Sequence, residues 1–546
     1  MKIILLFVST FFILLSNYTK AQAPGWLWVN GVGGNYNDVG NSICTDANGN
    51  AIVVGNFASD TIIFGTTIFT DTNISAIEPY IFITKYNRAG NVLWAKCAGG
   101  PNRTFASSVC TDANGNIIVT GYFLSPTITF GTITLFNTTA GDHIFVVKYD
   151  SNGNVLWASS AGEFSNNHAY GVCTDSKSNI IVTGCFFDQI TFGTFTLTNT
   201  DTNNASLDVF LVKYDSTGNV LWATGSGGYN NSGDAGYSVA TDPYDNIFIT
   251  GIFQGPSITF GTTTLYNTDN TFSTQDVFIA KFDSSGNPLW AKSGSGNFMD
   301  YGNSLSTDTN GNVFLIGSFE SYDIRFGNTV LINSDVFSFS DDIFIVKFDS
   351  SGNALWMTNP IGGGDSGNGI CTDANGNAFV TGTIGSDIFV AKYDITGTEL
   401  WTKSTIGGNN SSGNSVCTDA DGNVFVSGYF GYPTCAFDSI TLTNAGNQDV
   451  FVARLDSSFN TGLINENNSF NQFSIFPNPT QNNFIIELNA DIKNVNVEIF
   501  NAIGKKIFET TLKSNQQTIN KILPSGIYFV KVNDKEKQFV KKLIVQ

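Results

Sequence analysis

The side chains of this 546-residue chain best placed to do chemistry are carboxylates in runs close to Asp-x-Asn-Gly-Asn, including Asp46–Asn50, Asp112–Asn116, Asp150–Asn154 and Asp419–Asn423. Such runs have the oxygen-rich opening of a calcium-binding loop, which makes Asp46, Asp112, Asp150 and Asp419 candidate calcium ligands. They lack the bidentate glutamate that completes such a loop, so tight hairpin turns are the first reading. In that reading Asn-Gly supplies the positive φ the turns need. A second series is cationic: Lys85, Lys148, Lys213, Lys281, Lys347, Lys392 and Arg454 stand at one position of an otherwise apolar segment. A cation covered on both sides needs an acid, and the aspartate of each Thr-Asp pair is the candidate partner. The two histidines differ in role: His143 stands where other copies have Asp, and His168 falls in a loop. No nucleophile elbow, zinc-binding helix, Cys-His pair or phosphate loop is present. An enzyme is therefore not expected. The rival expectation is a polysaccharide hydrolase or lyase, which would place paired carboxylates on a loop face.

These side chains are set out by a repeat. The second residues of the Thr-Asp pairs, Asp46, Asp112, Asp175, Asp242, Asp308, Asp373 and Asp419, recur every 63 to 67 residues and finally after 46. Each copy reads as four short strands, exemplified by SSVCT, NIIVTGYF, HIFVVKYD and NVLWA, joined in pairs by the Asn-Gly turns. The second and third strands are apolar on both faces, so both faces must be covered. Four-stranded blades stacked around an axis provide that cover. Every second strand carries a glycine (Gly55, Gly121, Gly184, Gly251, Gly317, Gly382, Gly428) and every fourth a tryptophan (Trp28, Trp94, Trp157, Trp222, Trp290, Trp356, Trp401). The two series suggest that a tryptophan of one blade packs against a glycine gap of its neighbour. Five of the eight cysteines share one position with Ala240 and Ser306, so a small residue rather than a disulfide framework is wanted there.

The chain carries 26 basic and 45 acidic residues, net −19. Such a surface does not suit nucleic acid or an anionic membrane. Residues 1–23, with Lys2, an apolar run and small residues at Ala21 and Ala23, read as a secretory signal peptide. Residues 26–34 match the end of a repeat, whereas the seventh copy ends near residue 457 without its tryptophan strand. Pairing the two would close a ring, so the fold expected is all-β: a seven-bladed β-propeller over 24–457, closed by the N-terminal strand. The variable connections between second and third strands would share a face with the loops between copies, and ligand recognition is expected there. Copy six lacks the insert, which predicts a notch near Gly382–Asp387 as a concave entry.

The repeat, with TDANGNIIVTGYF, DIFVAKYD and GNVLWA, resembles the secreted bacterial β-propeller (SBBP) repeat family over about residues 26–457. That resemblance implies fold and export, and names no activity. After a linker at 458–470 the charge changes sign. Residues 471–546 hold 10 Lys and 6 Asp plus Glu, so they carry +4, and the remainder carries −19 minus +4, or −23. Their short, Pro- and Gly-punctuated strands predict a β-sandwich. The segment resembles the type A sorting domain of the type IX secretion system of Bacteroidota. The matching residues are Phe476, Pro477, Asn478 and Pro479 of FPNPT, Gly504 and Lys505 of the Asn-x-x-Gly-Lys run, and Pro524, Gly526 and Tyr528 of Leu-Pro-x-Gly-x-Tyr. The resemblance implies the type IX machinery as partner and a place outside the cell or on its surface. A monomeric binding or adhesion scaffold for a polysaccharide or other surface polymer is the function expected, without a cofactor unless calcium binds.

Overall fold

The computed structural model describes residues 23–456 except 72–77, 164–165, 202–205, 229–232, 269–273, 335–339 and 361–364. It also describes residues 473–545 except 481–482, 489–494, 502–504, 515 and 535–536. The expected signal peptide, apart from Ala23, the linker at 458–470 and Gly504 lie outside the described residues. The chain divides into two compact units, Met1–Ser457 and Ser458–Gln546. No helix among the described residues is long and apolar enough to cross a membrane.

In the first unit the described residues form seven four-stranded antiparallel sheets and six two-stranded hairpins, a propeller-like arrangement. The first strands of the sheets are Asp38–Thr45, Thr104–Thr111, His168–Thr174, Ala235–Thr241, Asp300–Thr307, Ser366–Thr372 and Ser412–Thr418. Each lies beside the next, and the last lies beside the first. Their threonines make a continuous ring of hydrogen bonds. Thr111 Oγ1 donates to Thr45 O at 3.0 Å, and the pattern repeats through Thr174, Thr241, Thr307, Thr372 and Thr418 until Thr45 Oγ1 donates to Thr418 O at 2.9 Å. Second and third strands, such as Ala51–Phe57 and Tyr80–Tyr86, are buried along nearly their whole length, as their two-sided apolar sequences require. In the seventh sheet the N-terminal strand Trp26–Val32 takes the fourth place and runs antiparallel to Gln448–Leu455, with Val32 opposite Val450.

The Asp-x-Asn-Gly-Asn runs are hairpin turns. Asp46 N–H donates to Asn50 O, Gly49 N–H donates to Asp46 O, and Gly49 has φ +70°. Where glycine is replaced, Ser178 and Asp245 take the same left-handed conformation at φ 62°.

The expected packing of tryptophan against the mid-strand glycine is corrected by the structure. A Cβ on Gly55 would stand 2.0 Å from Val39 O and 2.7 Å from the Phe82 ring, so the gap is filled from within its own sheet. The half-buried tryptophans instead cover the glycine of the neighbouring sheet's outer turn: a Cβ on Gly153 would lie 3.1 Å from the Trp94 ring. The reason is reach, because the fourth strand is the outermost of its sheet and meets its neighbour at the outer turn.

The repeated ITFGTxTL inserts form the six hairpins, for example Thr127–Phe130 with Ile133–Phe136. They lie along outer strands of their own and the preceding sheet, with Ile62, Phe64, Ile128 and Phe130 buried beneath them. Sheet 6 replaces its hairpin by a turn from Ile384 to Asp387, with Gly385 at φ +61°. The other hairpins brace the outer strands, so this omission falls beside the outer strands of sheets 6 and 5, Glu399–Ser404 and Ala354–Thr358, not at the axis.

The second unit has a three-stranded sheet, Phe473–Phe476, Phe484–Leu488 and Gln516–Ile519, and a four-stranded sheet, Lys506–Leu512, Val495–Asn501, Gly526–Asp534 and Lys537–Val545. One core of Phe473, Phe484, Ile486, Val497, Ile499, Leu512, Val530 and Leu543 joins them.

Candidate functional site

Every first strand carries a β-bulge at its third or fourth residue, as between Gly40 and Ser42 and between Gly413 and Ser415. A bulge turns a side chain out of the ladder. The bulge residues are Asn41, Ser107, Tyr170, Tyr237, Asn303, Asn368 and Asn414, and all seven line one axial cavity of about 140 Å³. Four of its amides pin the next sheet: Asn41, Asn303, Asn368 and Asn414 donate through Nδ2 to Ala106 O, Gly367 O, Gly413 O and Gly40 O at 2.7 to 3.1 Å. The cavity is therefore polar, rigid and lined by amides, hydroxyls and rings.

Sheets 2 and 3 break this pattern. Asp142, fully buried, accepts from Arg103 Nη2 at 2.7 Å and Nε at 3.3 Å, and is 2.9 Å from His168 Nε2. His168 Nδ1 is 2.9 Å from Tyr170 Oη. A neutral imidazole that donates Nε2–H to Asp142 accepts the Tyr170 hydroxyl at Nδ1. Burial alone would raise the Asp142 pKa, but His168 and Arg103 outweigh it and hold the carboxyl below its ordinary range. His168 lies tilted against Tyr122 with centroids 4.0 Å apart, Tyr122 stacks on Phe105 at 5.0 Å, and Tyr170 meets Tyr237 edge-on at 5.3 Å. These rings are half-buried. Burial, reinforced by Asp142, pushes the Tyr122 hydroxyl up to about 12. The second histidine, His143, flanks Asp142 and bonds Thr139 Oγ1 through Nε2 at 3.0 Å; burial lowers its pKa.

The two histidines stand in different elements, His143 at the start of a third strand and His168 at the start of a first strand rather than in the loop expected, and both lie beside Asp142. Arg103, Asp142, Tyr122 and Tyr170 drew no attention in the sequence. Their only signal is departure from the repeat: at the equivalent of His143, five copies have Asp208, Asp276, Asp342, Asp387 and Asp449.

The calcium candidates Asp46, Asp112, Asp150 and Asp419 stand in separate turns and are not brought together. Asp46 Oδ1 accepts the N–H groups of Asn48 and Asn50, and its Oδ2 accepts from Asn50 Nδ2 at 2.9 Å and from Lys85 Nζ at 2.9 Å. Asp112 does the same with Lys148 at 2.8 Å. Asp150 and Asp419 bind their own turns in the same way, without a lysine. The lysine series thus finds the partners expected of it, from Lys85–Asp46 to Lys392–Asp373 at 3.4 Å. Among the described residues no group of three or more His, Cys, Asp or Glu is placed to hold a metal. The eight cysteines are free.

In the second unit the motif residues converge. Asn501 pairs with Tyr528, Tyr528 with Leu543 and Gly526 with Val545; Asn478 Oδ1 accepts Ile544 N–H at 2.8 Å. Tyr528 Oη donates to Pro524 O at 2.7 Å, and Lys505 N–H donates to Asn501 Oδ1 at 2.9 Å. Phe476 begins this segment partly exposed, followed by exposed Pro477, Asn478 and Pro479.

Fold and site together define an all-β repeat protein with a propeller-like first unit and a separate C-terminal β unit. Residues 474–546 match the secretion system C-terminal sorting domain (Por_Secre_tail), which marks the chain for export through that system, to the outer surface or beyond. An uncharacterized WD repeat-containing protein, L264, of Acanthamoeba polyphaga mimivirus is 28% identical over 422 residues; the match covers 66% of this chain and 30% of that protein. The chain thus spans less than a third of the length of that relative. Solved structures with similarity include PorZ of the type-IX secretion system of Porphyromonas gingivalis, with 10% identity and TM-score 0.23 over 95% of this chain and 100% of that one. Drosophila Plexin A, solved with Semaphorin 1b, has 6% identity and TM-score 0.36 over 80% and 88%. Likenesses of this size carry no argument about function.

Proposed function

We propose that residues 24–457 form a seven-bladed β-propeller closed by its N-terminal strand, exported by the type IX machinery, which works outside the cell as a monomeric binding scaffold for a polar polymer such as a polysaccharide. The pairing of Trp26–Val32 with Gln448–Leu455 and the threonine ring support the closure. Support for type IX export comes from the sorting-domain match at 474–546. The observation that carries the binding reading is the axial cavity, whose bulge residues are four asparagines, a serine and two tyrosines. Amides and hydroxyls bond a polyol, and half-buried rings stack on it. A hydrolase would need two carboxylates converging on this opening, and the cavity lining has none. The test is a glycan array with the full secreted chain and with Ser107→Trp, which fills the cavity. Binding by the parent and its loss in the variant is the expected outcome; equal capture by both would place recognition elsewhere.

A further inference from the structure

Six of the seven seams between sheets serve as internal controls, because they build the same fold from nearly the same residues. Equivalent to His143–Asn167 at the seam of sheets 2 and 3 are Asp208–Asp234, Asp276–Asp300, Asp342–Asp365 and Asp449–Asp38 at four others. Here alone the acid has moved one place, to Asp142, and is gripped by a guanidinium on one side and an imidazole on the other. Since other seams close without this array, closure of the ring does not require it.

The array orders rings. Asp142, itself held by Arg103, fixes His168; His168 fixes the Tyr170 hydroxyl and lies on Tyr122. Phe105 extends the stack and Tyr237 continues it along the cavity. The rings sit at the starts of their first strands or the ends of their second strands, hence on the side of the loops that join successive sheets. Half-buried, preorganised rings offer apolar faces at low entropic cost. Arg103 spends Nε and Nη2 on Asp142 and keeps 42% of its side chain exposed at the edge of the stack. Its charge is matched by Asp142 within a unit that is strongly acidic overall, so the seam has no surplus cation for an anionic ligand.

We propose that this seam is a stacking site for a neutral sugar ring, with Phe105 and Tyr170 as platforms, Arg103 as hydroxyl donor at the edge, and Tyr122, Asp142 and His168 as positioning residues. It rests on the binding-scaffold reading and gives that reading a place and a ligand class.

The experiment is calorimetric titration of the full secreted chain with cellohexaose, laminarihexaose, xylohexaose and mannohexaose, and with hexagalacturonate as the acidic counterpart. At least one neutral oligosaccharide should bind, and hexagalacturonate should not. Tyr122→Leu and Arg103→Gln should each weaken binding about tenfold, and Tyr429→Leu, the equivalent change in sheet 7, should leave it unchanged. With two histidines in the chain, an imidazole nitrogen spectrum of the parent has two ring systems to assign, and that of His168 should shift on saturation. This arm decides the question even if a variant fails to fold. A bound sugar that leaves the His168 signals and both variants' affinities unchanged overturns the seam and spares the scaffold reading. A parent that binds no neutral oligosaccharide also overturns the seam, and if the array is blank as well, both readings fall.

Discussion

Two groups of aspartates in this chain are shifted in opposite directions. Turn aspartates such as Asp112 and Asp215 accept several hydrogen bonds each, which outweighs burial and lowers their pKa, in Asp215 to about 2. Asp38 and Asp341 are shifted the other way, to about 6 from an ordinary 3.8, chiefly because burial penalises their charge. Asp449 adds to the rise at Asp38, and Glu320 and Asp342 add to it at Asp341. Between 3.8 and about 6 the folded form of the second population binds more protons than the unfolded form, so stability falls as pH rises through that window. The first population loses stability below its unfolded value. The melting midpoint should therefore rise by a few degrees from pH 7 to about pH 4.5, then fall below about pH 3.5. A midpoint that falls steadily from pH 7 downward in calorimetry would contradict the raised aspartates.

The buried Lys148–Asp112 pair makes a second prediction at this scale. Both side chains are almost wholly buried, and Lys148 Nζ also donates to Ser216 O in the next sheet at 3.1 Å. Lys148→Met leaves Asp112 charged and short of a partner, which should cost about 3 kcal/mol or more in urea unfolding. Adding Asp112→Asn should recover part of that loss, because no buried charge then remains unpaired.

At the scale of elements, the same outer-turn carbonyl is used twice at most seams. Ser151 O accepts both Lys85 Nζ at 3.1 Å and Trp94 Nε1 at 3.2 Å, and at the closing seam Arg88 O accepts Arg454 Nη1 at 2.6 Å and Trp28 Nε1 at 3.0 Å. The seam beside Trp26–Val32 is thus fastened like the others although Trp28 and Arg454 are far apart in sequence. The hairpins add apolar cover, with Phe130 packed 5.1 Å from the Phe145 ring. Phe130→Ala should cost about 3–5 kcal/mol in a denaturant titration. A cost near zero would make the hairpin an ornament rather than a brace.

At the scale of the whole molecule, the seventh sheet is completed by the strand Trp26–Val32, far from its partner in sequence. Deleting Pro24–Gly34 removes six ladder pairings to Gln448–Leu455 and the Trp28 bond to Arg88 O, and bares an edge. The midpoint of thermal unfolding should drop and the truncated chain should associate through the open edge in sedimentation. A monomer with an unchanged midpoint would show that the ring does not need its seal.

Much of this was legible in the chain. The Thr-Asp series, the Asn-Gly turns, the two-sided second and third strands, the Lys–Asp partnership and the split copy are local or periodic signals, most of them written again in copy after copy. The C-terminal motif residues were legible for the same reason, being close in sequence. Three things were not legible. The partner of each tryptophan, the place of the hairpins and the gathering of Arg103, Asp142, His168 and Tyr170 depend on contacts between separate strands, 57 residues apart for Trp94 and Ser151, 39 for Arg103 and Asp142 and 26 for Asp142 and His168. Such contacts leave no periodic trace. They are set by which end of a strand reaches its neighbour and by where single departures from the repeat converge, and only the packing of sheet on sheet decides that.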